Sequence, residues 1–187
     1  AAPVLTQPPV LRGDRLVLRP LRPSDAVALA RHTADRRLAE ATRSIPHPLP
    51  PGAAEAFVAA ALDPAREEDS WVMETAQSGA SADCATVPAG QLVGLISLKP
   101  LCRGQSQIGY WVAPAFWNSG LASEAVRALI AANPHGSRTL FAEVFQDNPV
   151  SARILTNAGF EYIGDAEAFS VARERSVPTW TYLRRMD

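Results

Sequence analysis

Ile108-Gly109-Tyr110-Trp111-Val112-Ala113-Pro114-Ala115-Phe116-Trp117-Asn118-Ser119-Gly120-Leu121-Ala122-Ser123-Glu124-Ala125 is the stretch whose reading decides the fold. It reads as an apolar strand that runs through a Pro-containing turn into the N-terminus of a helix made of small residues. Asn118, Ser119 and Gly120 carry no bulk that would keep a ligand from the backbone, and Ala122 and Ser123 leave the first helical turn open. The first N–H groups of a helix lack partners within it, and the helix dipole adds positive potential there, so such a turn is a ready anion site. The same residues also read as a plain capped helix, with Asn118 or Ser119 as the cap. The local pattern leaves both readings open.

Upstream, apolar and β-branched runs at residues 71–76, 91–98 and 106–113 predict three successive strands. Between the first two, residues 77–90 are rich in Ser, Ala and Gly and predict a long mobile hairpin loop. Before them the alternation of residues 15–20 predicts a first strand, and Ser24-Asp25 opens a helix to about Arg31. Helices follow near 35–41 and 53–62, separated by the proline-rich stretch 45–52, which excludes both helix and central strand. Downstream come a helix at 119–132, a strand at 139–145, a helix at 149–158, and closing strands near 160–163 and 179–184. The order predicts an α+β (mixed α/β) domain over residues 11–187 around one sheet of about seven strands, preceded by a flexible Pro-rich lead-in over residues 1–10.

Composition narrows the function classes. The 187 residues are 47% hydrophobic and 20% charged, the profile of an ordinary globular chain of one domain. No stretch approaches the ~20 uncharged apolar residues of a membrane span. A formal net charge of -1 gives no field to attract nucleic acid or anionic lipid. Cys84 and Cys102 form neither a disulfide framework nor a zinc pattern, and with His32, His47 and His135 scattered, no metal is expected. The first residues lack the basic and apolar segments of a signal peptide, and free thiols point to the cytoplasm.

A second segment, Asn148-Pro149-Val150-Ser151-Ala152-Arg153-Ile154-Leu155-Thr156-Asn157-Ala158-Gly159-Phe160, is a well-punctuated helix. Asn148 suits the N-cap, Pro149 the first helical position and Gly159 the left-handed terminator. Local physics gives no further reason to assign function here. In this order and spacing, however, the two segments resemble the GNAT superfamily of acetyl-CoA-dependent N-acetyltransferases. The likeness is greatest to the branch that includes the ribosomal-protein N-terminal acetyltransferases RimJ and RimL. It extends from about Leu11 to Leu183 and takes in Leu16-Val17-Leu18-Arg19-Pro20 and Gly94-Leu95-Ile96-Ser97-Leu98.

The resemblance implies a sheet splayed between its fourth and fifth strands, with helices on both faces and acetyl-CoA in the splay. By position, the backbone of Asn118, Ser119, Gly120, Leu121 and Ala122 matches the pyrophosphate turn. Trp111 and Val112 match the strand edge on which pantetheine pairs, and Asn148 and Ser151 flank the thioester. Trp117 and Asn118 depart from the usual Gln or Arg and from Gly. The resemblance further implies direct transfer to a primary amine. The tyrosine that many relatives use as acid is replaced by Leu155, so the expected acid is Ser151, with Glu143 and Glu74 as candidate bases. The acceptor stays open among a protein or peptide α-amine, a small amine such as a polyamine or aminoglycoside, and no acceptor at all in a CoA-binding module. A monomer or homodimer fits either enzyme reading. His47 is a candidate for the acceptor pocket or a plain loop residue. Arg12, Arg15, Arg19, Arg22, Arg31, Arg36, Arg37 and Arg43 make the first 50 residues locally basic, a solvated face or a guide for the 3′-phosphate of CoA.

Overall fold

The computed structural model describes residues 4–76 and 88–187; most of the predicted 77–90 loop lies outside the described residues. Eight strands form one sheet in the order β1-β2-β3-β4-β5-β6-β8-β7. These are β1 (Leu11–Arg12), β2 (Leu16–Pro20), β3 (Asp69–Thr75), β4 (Leu92–Pro100), β5 (Gln105–Val112), β6 (Thr139–Phe145), β7 (Glu161–Ser170) and β8 (Arg175–Arg185). Five α-helices accompany them: α1 (Ala26–Thr33), α2 (Arg36–Ala41), α3 (Ala53–Leu62), α4 (Leu121–Ala132) and α5 (Pro149–Asn157). All pairings are antiparallel except β5 with β6. The eighth strand is the two-residue β1, too short to leave a periodic signal. Its presence makes the predicted fourth and fifth strands β5 and β6.

Alternation along the strands sends apolar side chains to two cores. Leu16, Leu18, Trp71, Met73, Ile108, Val112, Leu140 and Ala142 pack against α4 and α5. On the other face Val72, Leu92 and Leu95 pack against α1 and α3, with Trp111 at the margin. The lead-in, expected to be flexible, is tied down from Leu5 onward. Trp71 is fully buried and its indole N–H needs an acceptor, which it finds in the Pro9 carbonyl at 2.9 Å. The Leu5 N–H donates to Asp69 Oδ2 at 3.0 Å.

Two buried charge networks fix the frame. Arg19 donates to both carboxylate oxygens of Asp25 (2.8 and 2.9 Å) and also pairs with Glu74, anchoring the turn that opens α1. Asp69, wholly buried, holds Arg66 and His135 Nε2 (both 2.7 Å). His135 Nδ1 lies 3.0 Å from Ser106 Oγ, which in turn lies 2.8 Å from Ser137 Oγ. This chain joins β3, β5 and the loop after α4 where β5 and β6 still pair, so it braces the closed end of the opening described next.

Candidate active site

β5 and β6 pair over only three positions, Gln105↔Thr139, Ser106↔Leu140 and Gln107↔Phe141, and then diverge. The wedge between them runs into a cleft of about 1620 Å³ that reaches both faces of the sheet. The hydrogen bonds Leu101 N–H to Gln105 O and Ala113 N–H to Val93 O set the alternation along β5. Residues two apart share a direction, so the backbones of Gly109 and Trp111 point to β4 and those of Tyr110 and Val112 point into the wedge. Of the expected edge, Trp111 and Val112, only Val112 turns its backbone groups into the wedge, together with Tyr110. Trp111 already uses its backbone groups on β4. The Val112 carbonyl accepts the Trp117 indole N–H at 2.7 Å, which ties the following turn to the strand end.

That turn is strained in the way a ligand loop requires. Asn118 has φ 60° and Gly120, the N-cap of α4, has φ 80°. The second position favours glycine because a left-handed residue with a Cβ is disfavoured. A Cβ on Gly120 would also stand 3.2 Å from Arg15 Nη2. Glu124 N–H makes the first helical bond, to Gly120 O. Among the described residues, no protein acceptor meets the N–H groups of Asn118 through Ser123. Six adjacent unpartnered donors at a helix start fit a pyrophosphate. Arg15 braces the loop from outside, donating to Ser119 O at 2.8 Å and pairing with buried Glu124 at 3.3 Å. Arg37 stacks over Trp117, 5.9 Å from the ring centroid.

Across the wedge, α5 presents Ser151. Its N–H donates to Asn148 Oδ1 at 3.2 Å, so Asn148 acts as the helix cap that fixes the serine. Ser151 Oγ lies 2.9 Å from the Tyr110 hydroxyl. Leu155 is fully buried and only packs. Tyr110 is the residue sequence reasoning missed: it shares the parity of Ile108 and Val112, which puts its ring on the α5 face. Burial, against the opposing Ser151 hydrogen bond, pushes the Tyr110 phenol up to about 12, so it stays protonated at neutral pH.

The opposite mouth faces α1, α2 and the loop after α2. Glu143 on β6 lines it, but its carboxylate already holds Arg43 at 3.1 Å and Thr179 Oγ1 at 2.6 Å. Glu74, a candidate base expected near the cleft, does not line it; on β3 it is paired with Arg19 of β2. His47 does not line the cleft, although Ile45, Pro46 and Leu49 do. Cys102 is exposed at the turn before β5, away from the cleft. Half-buried Glu68, just before β3, lines this mouth beside Ser97 and Lys99, and sequence reasoning passed over it. Burial raises its carboxyl, against Lys99 and the Ser97 hydroxyl, which lower it. Arg173, in the β7–β8 turn, closes the rim by donating to the Glu40 carbonyl at 2.7 and 2.9 Å and pairing with Asp147.

A parallel pair opening into a wedge, with a donor-lined turn at its mouth, makes a cleft suited to an extended, phosphate-bearing ligand. A model of the acetyltransferase (GNAT) domain matches residues 15–161, and the chain belongs to this family. It is therefore an N-acetyltransferase that depends on acetyl-CoA. It is 27% identical over 165 residues to the "Uncharacterized N-acetyltransferase YoaA" of Bacillus subtilis (strain 168), covering 83% of this chain and 85% of that one. Its fold is similar to that of RimL, described as a ribosomal L7/L12 α-N-protein acetyltransferase in complex with coenzyme A (TM-score 0.75, 16% identity, 96% and 99% of the two chains). It is also similar to the microcin C7 self-immunity acetyltransferase MccE in complex with acetyl-CoA and AMP (TM-score 0.76, 13% identity, 92% and 93%). No described helix is long and apolar enough to cross a membrane.

Proposed function

We propose that the wedge carries out direct acetyl transfer to a primary amine, a peptide or protein α-amine first among the acceptors. The observation that carries this reading is the Ser151–Tyr110 hydroxyl pair at the wedge, opposite a turn of free N–H donors. Acetyl-CoA supplies an activated thioester carbonyl. The N–H groups of Asn118 to Ser123 hold its pyrophosphate, and the inward backbone groups of Tyr110, with the Val112 N–H, pair with the pantetheine amides. The name of RimL, with its α-N-protein substrate, supports the peptide acceptor; that of MccE supports a smaller one.

The Tyr110 hydroxyl lies 2.9 Å from Ser151 Oγ and 3.2 Å from the Ser151 carbonyl. With Tyr110 donating to Ser151 Oγ, the serine hydrogen is free for the sulfur, and the cap from Asn148 fixes where Ser151 can aim. A thiol has a pKa near ~8.5, so thiolate departs readily and a hydrogen bond to sulfur suffices, without a strong acid. The Ser151→Ala variant should therefore lose about 10²–10³-fold in transfer rate, the scale of one positioned donor. Thiol release measured on a panel of peptides, polyamines and aminoglycosides, with mass spectrometry of the products, tests both the residue and the acceptor class. Near-normal turnover of the alanine variant on the best acceptor would move the donor role away from Ser151.

A further inference from the structure

The acceptor mouth has an apolar floor that the transfer chemistry does not use. Successive side chains of a strand alternate, so the Trp111 ring lies on the face opposite the Tyr110 hydroxyl. Trp111 shares that face with Leu95, its partner on β4, and packs against the core cluster that includes Leu29, Ala54 and Val58. Helix α3 adds a second aromatic ring. Its Ala54 and Val58 are buried, whereas Phe57 keeps 38% of its surface exposed. Phe57 follows Ala54 by three residues and Ala53 by four, so the three share one helix face, and all of them line the cleft. Ile45 and Leu49, in the loop after α2, line it too, and the bond from Val171 N–H to Arg43 O holds the start of that loop. Scattered over a convex surface such side chains would mean little; gathered in one cleft they form an apolar wall that a ligand covers.

The charges of the same cleft are balanced. Among the described residues, five carboxylates and five cationic side chains line it. Glu143 holds Arg43, Asp147 holds Arg173 and Glu40 holds Arg36. A polyamine or an aminoglycoside brings several ammonium groups, and each needs a carboxylate to replace the water it loses. The cleft has no acidic excess to meet them. Balanced charge over an apolar floor suits an acceptor with one ammonium group on an otherwise apolar body.

Trp111 stands between Tyr110 and Val112, the two positions whose backbone groups turn into the wedge. One residue rise of ~3.3 Å separates it from either of them, so its ring borders the place where the thioester carbonyl is offered. An amine that attacks there carries the substituent of its own carbon over that ring. We propose that this floor selects the acceptor: a primary amine whose carbon bears a large apolar side chain, as in a peptide that begins with Leu, Met or Phe, with that side chain held against Trp111, Phe57 and Leu49. This inference rests on the transferase reading above and narrows its peptide α-amine to one class of first residue.

The test uses the full chain, acetyl-CoA and peptides that differ only in their first residue, with spermidine as the polycation. The kcat/KM for a peptide with Leu or Phe first should exceed that for Gly first by about 10–100-fold, the scale of filling an apolar pocket. Spermidine should trail the Leu peptide by at least as much. Phe57→Ala should cut the Leu-over-Gly ratio about tenfold, and Phe57→Asp should cut it further while favouring a peptide with Lys first. The acetyl-CoA thermal shift of each variant reports that it is folded. Calorimetric titration of the acetylated Leu peptide into protein saturated with CoA should show about tenfold weaker binding to the alanine variant. A wild-type preference for Gly or for spermidine, failure to acetylate any of the peptides, or a Leu-over-Gly ratio unchanged in both variants would overturn the proposal. Absence of any acetyl-CoA thermal shift in wild type would instead overturn the transferase reading and this inference with it.

Discussion

On the α4/α5 side of the wedge the groups that await a ligand belong to the backbone: the N–H row from Asn118 to Ser123 and the inward edge of β5. On the α1/α2 side the lining groups are side chains brought together from distant segments, several of them already paired: Arg43, Glu68, Lys99, Glu143 and Arg173. A backbone site is set by turn geometry and tolerates changes of side chain, provided that the φ angles survive. A side-chain site depends on every residue that aims each group. The cofactor half should therefore yield only to substitutions that alter the turn, and the acceptor half to many single substitutions.

The largest expected effect lies in the frame beneath the acceptor half. Asp25→Asn removes one partner of a buried pair; because Arg19 keeps Glu74, the cost should be about 3 kcal/mol, the low end for such a loss. That is a fall of roughly 6–12 °C in melting temperature for a domain of this size. Burial alone would raise the Asp25 carboxyl, but the Arg19 hydrogen bonds and the Arg22 N–H outweigh it and hold the group below its usual range. A depressed carboxyl stabilises the fold above its unfolded value of ~3.9 and stops doing so as pH falls through its folded value. The gap between wild type and variant should accordingly shrink below about pH 4; urea melts across that window measure it, and a gap that widens there would refute the pairing.

Next in size is Gly120→Asp. It forces a left-handed non-glycine residue and sets a carboxylate among the phosphate donors. Acetyl-CoA at ~100 times its dissociation constant should stabilise wild type by about 2.7 kcal/mol and this variant not at all. A retained shift would mean that the backbone turn is not the phosphate site. Smaller again, Arg43→Ala frees Glu143 and should raise the acceptor KM about tenfold (~1.4 kcal/mol) while leaving acetyl-CoA affinity in place. Arg15→Met should do the reverse, weakening acetyl-CoA by a few-fold through the loosened Ser119 carbonyl, in keeping with the ~0.2–1 kcal/mol of an exposed pair. If both substitutions changed the same parameter, the division between the two halves would fail.

The same division explains what the sequence disclosed. Caps, Pro114, Gly120 and Gly159 mark chain direction locally, so α4, α5 and the turn between β5 and α4 were legible in the residues themselves, whereas the splay followed from the family resemblance. Glu74 was misplaced because its sequence neighbourhood says nothing of Arg19, 55 residues away, which claims it. Tyr110 could have been found from strand parity, but the vacancy at Leu155 drew attention along α5 instead. The closing strands run far longer than predicted, since β7 is exposed over most of its length and shows no apolar alternation. Pro178 stands within β8. It lies one residue past the last β6 partner of β8, Thr179, where no ladder on that side needs its missing N–H.

The β7–β8 turn gives the cleft a mechanical property. Arg173 holds the carbonyl at the end of α2, grips Asp147 and lies over the Phe145 ring, while Val171 N–H donates to Arg43 O at 2.9 Å. The rim is thus a clasp held by the Arg173 guanidinium and the Val171–Arg43 backbone bond together, and the walls on either side of the acceptor mouth separate only when both let go. Each such release exposes the Val171 amide to solvent. Its hydrogen-exchange rate is a built-in clock for the breathing of the mouth, readable without any substrate in hand.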